Sequence, residues 1–287
     1  MFFFFYLLLI FGSAVFIWCF FFEPRRYQIN RYPITLKKKL GRPLRILHLS
    51  DIHFARPDKQ ISRLFDQLAA EQYDFIFATG DIIDCKRGIN PCIINFKKLK
   101  ARLGFFLVFG NHDYYDYHLR DVIKLNFRRG YPKTLQPVEL FEKRLNEIKV
   151  RVLKNQTSEI KDAGVSLLVH GLDDPTTGKA NIRLAMENFD SDKVNLLLTH
   201  TIDAFLEIGE GDIDLSFSGH SHGGQIRFPG IGAIITHTQM GPPFASGIKS
   251  LKGAICSISQ GLGASRFFFM RMLCPPEAII LEVRGKD

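Results

Sequence analysis

From residue 44 onward, short apolar runs alternate with amphipathic stretches. The runs LRILHLS (44–50), YDFIFAT (73–79), GFFLVFG (104–110), VSLLVHG (165–171), VNLLLTH (194–200) and IDLSFSG (213–219) predict largely buried strands. Between them, DKQISRLFDQLAAEQ (58–72), NPCIINFKKLKARL (90–103), PVELFEKRLNEIK (137–149) and GKANIRLAMENF (178–189) predict helices, several opening on Asp, Asn, Pro or Gly. GAICSIS (253–259) and EAIILEVR (277–284) predict two further strands with no helix between them. Strands alternating with helices imply a layered α/β domain. Residues 114–137, YYDYHLRDVIKLNFRRGYPKTLQP, are basic and aromatic and read in two ways: a solvated helix with its loop, or a cap over a site.

The start of the chain follows a different rule. Residues 2–22, FFFFYLLLIFGSAVFIWCFFF, carry no charge. As a helix they would reach about 31 Å, against a bilayer hydrocarbon core of about 30 Å. The positive residues come after this run, and Trp18-Cys19 fits no cleavage site, so the segment predicts an uncleaved anchor rather than a signal peptide.

Eight Lys or Arg and no acid lie between residues 25 and 45; with Glu23, residues 1–45 hold +7 of the net +9, leaving +2 for the remainder. A nearly neutral folded part argues against a nucleic-acid partner. The basic run predicts a cytoplasmic-facing domain at the inner (plasma) membrane and a linker drawn onto the anionic leaflet. The chain thus divides into an anchor (1–23), a basic juxtamembrane linker (24–43) and a folded domain (44–287). The five cysteines are odd in number and lack CxxC spacing, which indicates neither a disulfide framework nor a zinc ribbon.

Polar residues cluster where the predicted strands end. SDIH (50–53), GDIID (80–84), GNHD (110–113), TH (199–200) and GHSH (219–222) each follow an apolar run. Taken singly, each cluster reads equally well as a cap, a turn or a satisfied histidine. Jointly they suit a crevice, because open α/β sheets bind ligands at the carboxyl ends of their strands. Asp51, His53, Asp81, Asn111, His200, His220 and His222 offer only oxygen and nitrogen donors. Seven donors exceed what one zinc requires and suit two divalent ions with a bridging carboxylate, an arrangement that activates water against phosphorus. His220 and His222, two residues apart on an extended segment, would each face a different ion. No G-x-x-x-x-G-K-[ST] loop is present, which disfavours nucleotide-driven transfer.

The ordered set D-x-H, G-D-x-x-D, G-N-H-D, T-H and G-H-S-H resembles the calcineurin-like metallophosphoesterases from residue 44 onward, with Asp113 as an accepted variant of the third block. The resemblance implies a four-layer α-β-β-α sandwich behind an N-terminal transmembrane helix. It implies one ion held by Asp51, His53, Asp81 and His222 and a second by Asp81, Asn111, His200 and His220, with manganese first and iron or zinc as alternatives. It implies catalytic roles for His112, facing the substrate phosphate, and Asp84, its orienting partner. GHSHGGQIRFPG, SQGLGASRFFF and LCPPEAIILEV are further similar to a membrane-anchored bacterial subgroup with a GHxHGGQ signature. That likeness implies an amphiphilic phosphorylated substrate and, as the expected activity, hydrolysis of UDP-2,3-diacylglucosamine to UMP and 2,3-diacylglucosamine 1-phosphate in lipid A biosynthesis. A phospholipid or other phosphodiester is the alternative substrate, and a non-catalytic metal-binding scaffold the alternative class.

Overall fold

The computed structural model describes residues 2–118, 134–162, 164–266 and 268–286. Helix α1 (Phe2–Ile17) continues through a π turn (Trp18–Phe22) and a 3-10 turn (Glu23–Arg25), and its apolar side chains are exposed. The apolar helical run Phe2–Arg25 is long enough to cross a membrane. Strands β1 (Gln28–Thr35) and β2 (Leu44–Leu49) follow, then α2 (Lys59–Ala69), β3 (Tyr73–Thr79), α3 (Ile89–Phe96) and β4 (Ala101–Val108). A four-residue helix α4 (Asn111–Tyr114) leads into the short pair β5 (Tyr115–Asp116) and β6 (Thr134–Leu135), then α5 (Val138–Glu147) and β7 (Val150–Val152). The second half runs β8 (Gln156–Asp162), β9 (Val165–Gly171), α6 (Ile182–Ala185), β10 (Val194–Leu198) and β11 (Leu215–Ser218). It closes with a small hairpin, β12 (Arg227–Phe228) and β13 (Gly232–Ala233), then β14 (Gly247–Leu251), β15 (Ala254–Ile258) and β16 (Glu277–Arg284).

Two six-stranded sheets result, ordered β1-β16-β2-β3-β4-β7 and β14-β15-β11-β10-β9-β8. Strands β2, β3, β4 and β7 run parallel, as do β9, β10, β11 and β15. Parallel strands covered on both faces need continuous apolar runs, which is why these segments carry them. Three apolar cores separate the layers. The first packs Ile61, Leu64, Phe65 and Leu68 of α2, together with residues of α3 and α5, against Leu47, Leu49, Ile76 and Leu107. The second lies between the sheets and includes Ile46, Phe75, Phe77, Phe106, Leu196, Leu198 and Phe217. The third covers the far face of the second sheet with Ile202, Phe205 and Ile208. The four layers are therefore present, the last being built of short turns.

Several expectations are corrected. The segment expected as a linker contains β1, paired parallel to β16, so residues 28–35 form a sheet edge. Much of its charge is used inside the fold: Arg31 and Arg45 pair with Glu71, Arg42 with Asp74, and Lys38 with Asp214. The helix expected over 90–103 stops at Phe96, because Ala101 onward pairs with β3, and sheet pairing outweighs local helix preference. The helix expected over 178–189 shrinks to α6, a single turn capped by the Asn181 side chain. Strands β1, β7, β8 and β14, the edge strands of the two sheets, escape the apolar pattern because they are short or half-exposed and their polar residues blur the alternation. The cap expected over 114–137 falls mostly on residues 119–133, which lie outside the described residues.

His48 of β2 is fully buried between the sheets, within 3.1 Å of Ser257 Oγ and 2.9 Å of Thr79 Oγ1, with its ring edge-on to Phe217. Burial pushes its imidazole down from the ordinary 6.5 to about 3, so it stays neutral in the fold. Between those values the unfolded chain holds the proton and the fold does not, so stability is complete above 6.5 and lost as pH falls toward 3. The slope expected from this one group is about 1.4 kcal/mol per pH unit. Urea unfolding of the chelator-treated protein in detergent should show a shallower acid limb in His48→Asn; an unchanged slope would assign the acid sensitivity elsewhere.

Candidate metal centre

The loops leaving β2, β3 and β4 are laced together before any side chain is considered. Asp51 N–H donates to the Gly80 carbonyl at 3.0 Å, His53 N–H to the Asp81 carbonyl at 3.0 Å, and Phe54 N–H to the Ile82 carbonyl at 2.8 Å. Asp113, inside α4, accepts from the backbone N–H groups of Ile82 (2.9 Å), Ile83 (3.0 Å) and Gly110 (3.0 Å). This buried carboxylate staples the third motif to the second, and burial followed by the charge on Asp81 raises it to about 7. From the second sheet, Gly219 N–H donates to the His200 carbonyl at 2.9 Å, while His220 N–H reaches Asp51 Oδ2 at 3.0 Å. A Cβ on Gly219 would stand 2.1 Å from Asp51 Oδ2, so only glycine lets the two sheets meet at this point.

The convergence fits the donor set read from the sequence. Asp51, His53, Asp81 and His222 offer ligand atoms all within 4.8 Å of one another, and so do Asp81, His200 and His220. Asp81 belongs to both groups. Asn111 opens α4 beside it, where His112 N–H donates to Asp81 Oδ1 at 2.8 Å. Asn111 Oδ1 and His222 Nδ1 are buried without a hydrogen-bond partner. Two pairs of imidazole nitrogens face each other, His53 Nε2 to His222 Nε2 at 3.3 Å and His200 Nε2 to His220 Nδ1 at 3.0 Å. Imidazole nitrogens converging beside buried carboxylates match ligands aimed at a cation, since nitrogen ligands about 2.1 Å from one ion lie about this far apart. The residues present therefore fit two divalent ions.

Electrostatics couples the same groups to one another. Burial raises the Asp51 carboxyl. Burial alone would also raise Asp81, but the neighbouring His200 and His112 hold it well below the usual carboxylate range. His200 is driven well above its ordinary value by Asp81, against the opposing effect of burial, while its Nδ1 lies 2.9 Å from the Thr79 carbonyl and leaves Nε2 facing Asp81. His220 is pushed down to about 3 by burial and then by the charge on His200. His222 goes well below its usual value, first through burial and then through His53.

Five of the seven predicted donors hold left-handed backbone: Asp51 (φ 48°), His53 (52°), Asp81 (51°), His220 (68°) and His222 (48°). Such residues cost about 1–3 kcal/mol each and persist only where the surroundings fix them. His112 and Asp84 stand at the rim. His112 Nδ1 lies 2.9 Å from Asp84 Oδ1, and His53 Nδ1 is 3.4 Å from the same oxygen. Burial would raise Asp84, yet those two imidazoles hold it below the carboxylate range. A third grouping of candidate ligands, His53, Asp84 and His112, shares this corner, where Asp84 Oδ2 is engaged by Arg266 Nε at 3.1 Å.

All nine sequence-predicted site residues are thus found in one place, while several supporting residues had no signal in the sequence. Arg266 ties Asp84 to Asp116 and to the Tyr117 carbonyl, and the Tyr117 ring lies 4.6 Å from that of His112. Arg271, fully buried, donates to the carbonyls of Gln260 (2.9 Å), Gly263 (2.7 Å) and Cys274 (3.0 Å), fixing the loop whose Gly263 N–H bonds the Asp51 carbonyl at 2.7 Å. An arginine in an aromatic run reads as a surface residue until the fold closes over it.

Comparison with known proteins agrees with this geometry. The profile of the calcineurin-like phosphoesterase family matches residues 44–224. The chain is 31% identical over 224 residues to the uncharacterized metallophosphoesterase YkoQ of Bacillus subtilis, covering 72% of this chain and 76% of that protein. It is 27% identical to the UDP-2,3-diacylglucosamine pyrophosphatase LpxG of Chlamydia muridarum, covering 93% and 92% respectively. It is 24% identical to the phosphodiesterase YaeI of Escherichia coli, covering 91% and 90%. With its motifs gathered as the family requires, the chain belongs to the calcineurin-like phosphoesterases and is a metal-dependent phosphoester hydrolase.

Proposed function

We propose that the protein hydrolyses the pyrophosphate of UDP-2,3-diacylglucosamine, adding water to phosphorus and releasing UMP and 2,3-diacylglucosamine 1-phosphate, a step in lipid A synthesis. The observation that carries this substrate is the likeness to the chlamydial UDP-2,3-diacylglucosamine pyrophosphatase across nearly the whole of both chains. The anchor would hold the domain at the inner face of the plasma membrane, where an acylated substrate resides; the positive residues that follow it support this side. A second reading, cleavage of a phospholipid or other phosphodiester, is favoured by the similar extent of the likeness to the Escherichia coli phosphodiesterase.

In this reading Asp51, His53, Asp81 and His222 hold one ion and Asp81, Asn111, His200 and His220 the other, manganese being our choice of metal. Such ions supply Lewis acidity and a nucleophile at neutral pH. The protein's own groups do the rest. Asp84, 2.9 Å from His112 Nδ1, fixes the ring so that Nε2 is turned toward an oxygen of the substrate phosphoryl group, placed for proton transfer. Arg266, holding the other Asp84 oxygen, prevents that carboxylate from turning away. Buried donors with fixed orientations require little reorganisation as charge develops.

Incubation of the detergent-solubilised, manganese-loaded protein with UDP-2,3-diacylglucosamine should release UMP; turnover confined to phosphodiesters would favour the second reading instead. Elemental analysis should find about two ions per chain, falling well below one in Asp81→Ala because that carboxylate serves both sites; unchanged content would remove its bridging role. His112→Ala should keep its metal yet lose about 10²–10⁴-fold in kcat. Full activity in that variant would exclude His112 from the chemistry.

A further inference from the structure

Outside the N-terminal helix, seven of the thirteen exposed large apolar side chains among the described residues fall in the two segments 228–235 and 268–273. Ile231 at the tip of the β12–β13 hairpin and Ile234 and Ile235 just after β13 are 61–72% exposed, and Phe228, Phe268, Phe269 and Leu273 are also exposed. The hairpin begins directly after the G-H-S-H-G-G-Q motif and leans back over it. A Cβ on Gly224 would come within 2.5 Å of the Ala233 side chain and 2.9 Å of the Ile235 carbonyl oxygen, and the His237 ring lies 6.3 Å from that of His220.

This surface is joined to the end of the anchor. Arg227 N–H donates to the Met272 carbonyl and Met272 N–H to the Gln225 carbonyl, both at 2.9 Å, which ties the base of the hairpin to the 268–273 segment. That segment in turn grips the helix: Arg271 N–H donates to the Cys19 carbonyl at 3.1 Å, and Phe20 packs edge-on to Phe269 at 5.4 Å. Around the junction Trp18 Nε1 donates to Glu23 Oε2 at 2.7 Å, and Arg26 pairs with the same carboxylate at 3.2 Å. Indole and guanidinium groups at a helix end mark the level where hydrocarbon gives way to headgroups.

We infer that Ile231, Ile234 and Ile235, with Phe268, Phe269 and Leu273, enter the headgroup–acyl boundary of the same bilayer that the anchor spans, so that the metal centre opens at the membrane surface. The occupant follows from continuity, since the patch is fastened by backbone hydrogen bonds to the last turn of the apolar helix. An apolar face of this kind buries its side chains roughly 5–10 Å into the boundary. An acylated substrate then reaches the ions by sliding out of the leaflet, without its chains crossing water. The inference rests on reading the N-terminal helix as an anchor.

The test uses the full chain in phosphatidylethanolamine–phosphatidylglycerol vesicles. Single cysteines are introduced by Ile231→Cys, Ile234→Cys and Leu273→Cys and labelled with an environment-sensitive fluorophore; the five native cysteines are buried. Phe11→Cys reports the anchor and Ile94→Cys, exposed on α3, the distant surface. Lipids spin-labelled near the headgroup should quench positions 231, 234 and 273 by about half, and position 94 hardly at all. Deep-labelled lipids quenching position 11 while shallow ones leave 231, 234 and 273 bright would overturn the inference and leave the anchor intact. Loss of quenching at position 11 as well would overturn the anchor reading itself.

Discussion

Two carboxylates, Asp51 and Asp81, are buried where the carboxyl ends of two sheets meet, and the rest of the structure answers to that placement. A buried ion costs several kcal/mol unless it is paired and hydrogen-bonded. Here the compensation is built from both sheets: His53 from one and His200, His220 and His222 from the other, all aimed at the same small volume. A centre that needs both sheets can form only after they have packed, so the inter-sheet core of Phe77, Phe106 and Phe217 and the metal chemistry depend on the same event.

The backbone bears a second cost. Left-handed φ at five donors is tolerated because each loop is held from outside: Asp113 staples the second and third motifs, and Arg271 braces the loop behind Asp51. These residues are buried, and they decide whether the donors converge. Arg266 extends the same logic to the rim, linking Asp84 to the foot of the segment that follows α4.

Legibility in the sequence followed periodicity and chemistry. The covered parallel strands were readable because burial on both faces demands unbroken apolar runs, as in YDFIFAT and VNLLLTH. Helix α2 was readable from Ile61, Leu64, Phe65 and Leu68 on one face, with Asp58 capping it. Strand β1 was hidden because QINRYPIT is half-polar and follows a membrane-like segment, so Arg31, with Lys38, Arg42 and Arg45 after it, looked like lipid contacts. Their partners, Glu71, Asp74 and Asp214, come from distant parts of the chain, and no local pattern reveals such pairs.

The sequence by itself determined the donor types and their order, because D-x-H, G-D-x-x-D, G-N-H-D and G-H-S-H are written within single turns and carry their chemistry locally. It also determined an apolar helix long enough to span a bilayer. Tertiary structure alone decided that Asp113 acts as a staple between the second and third motifs. It alone decided, too, that a buried arginine joins the anchor to the metal loop. Those facts arise from distances between residues far apart in the chain, which are set by how two sheets pack and not by any short run of residues.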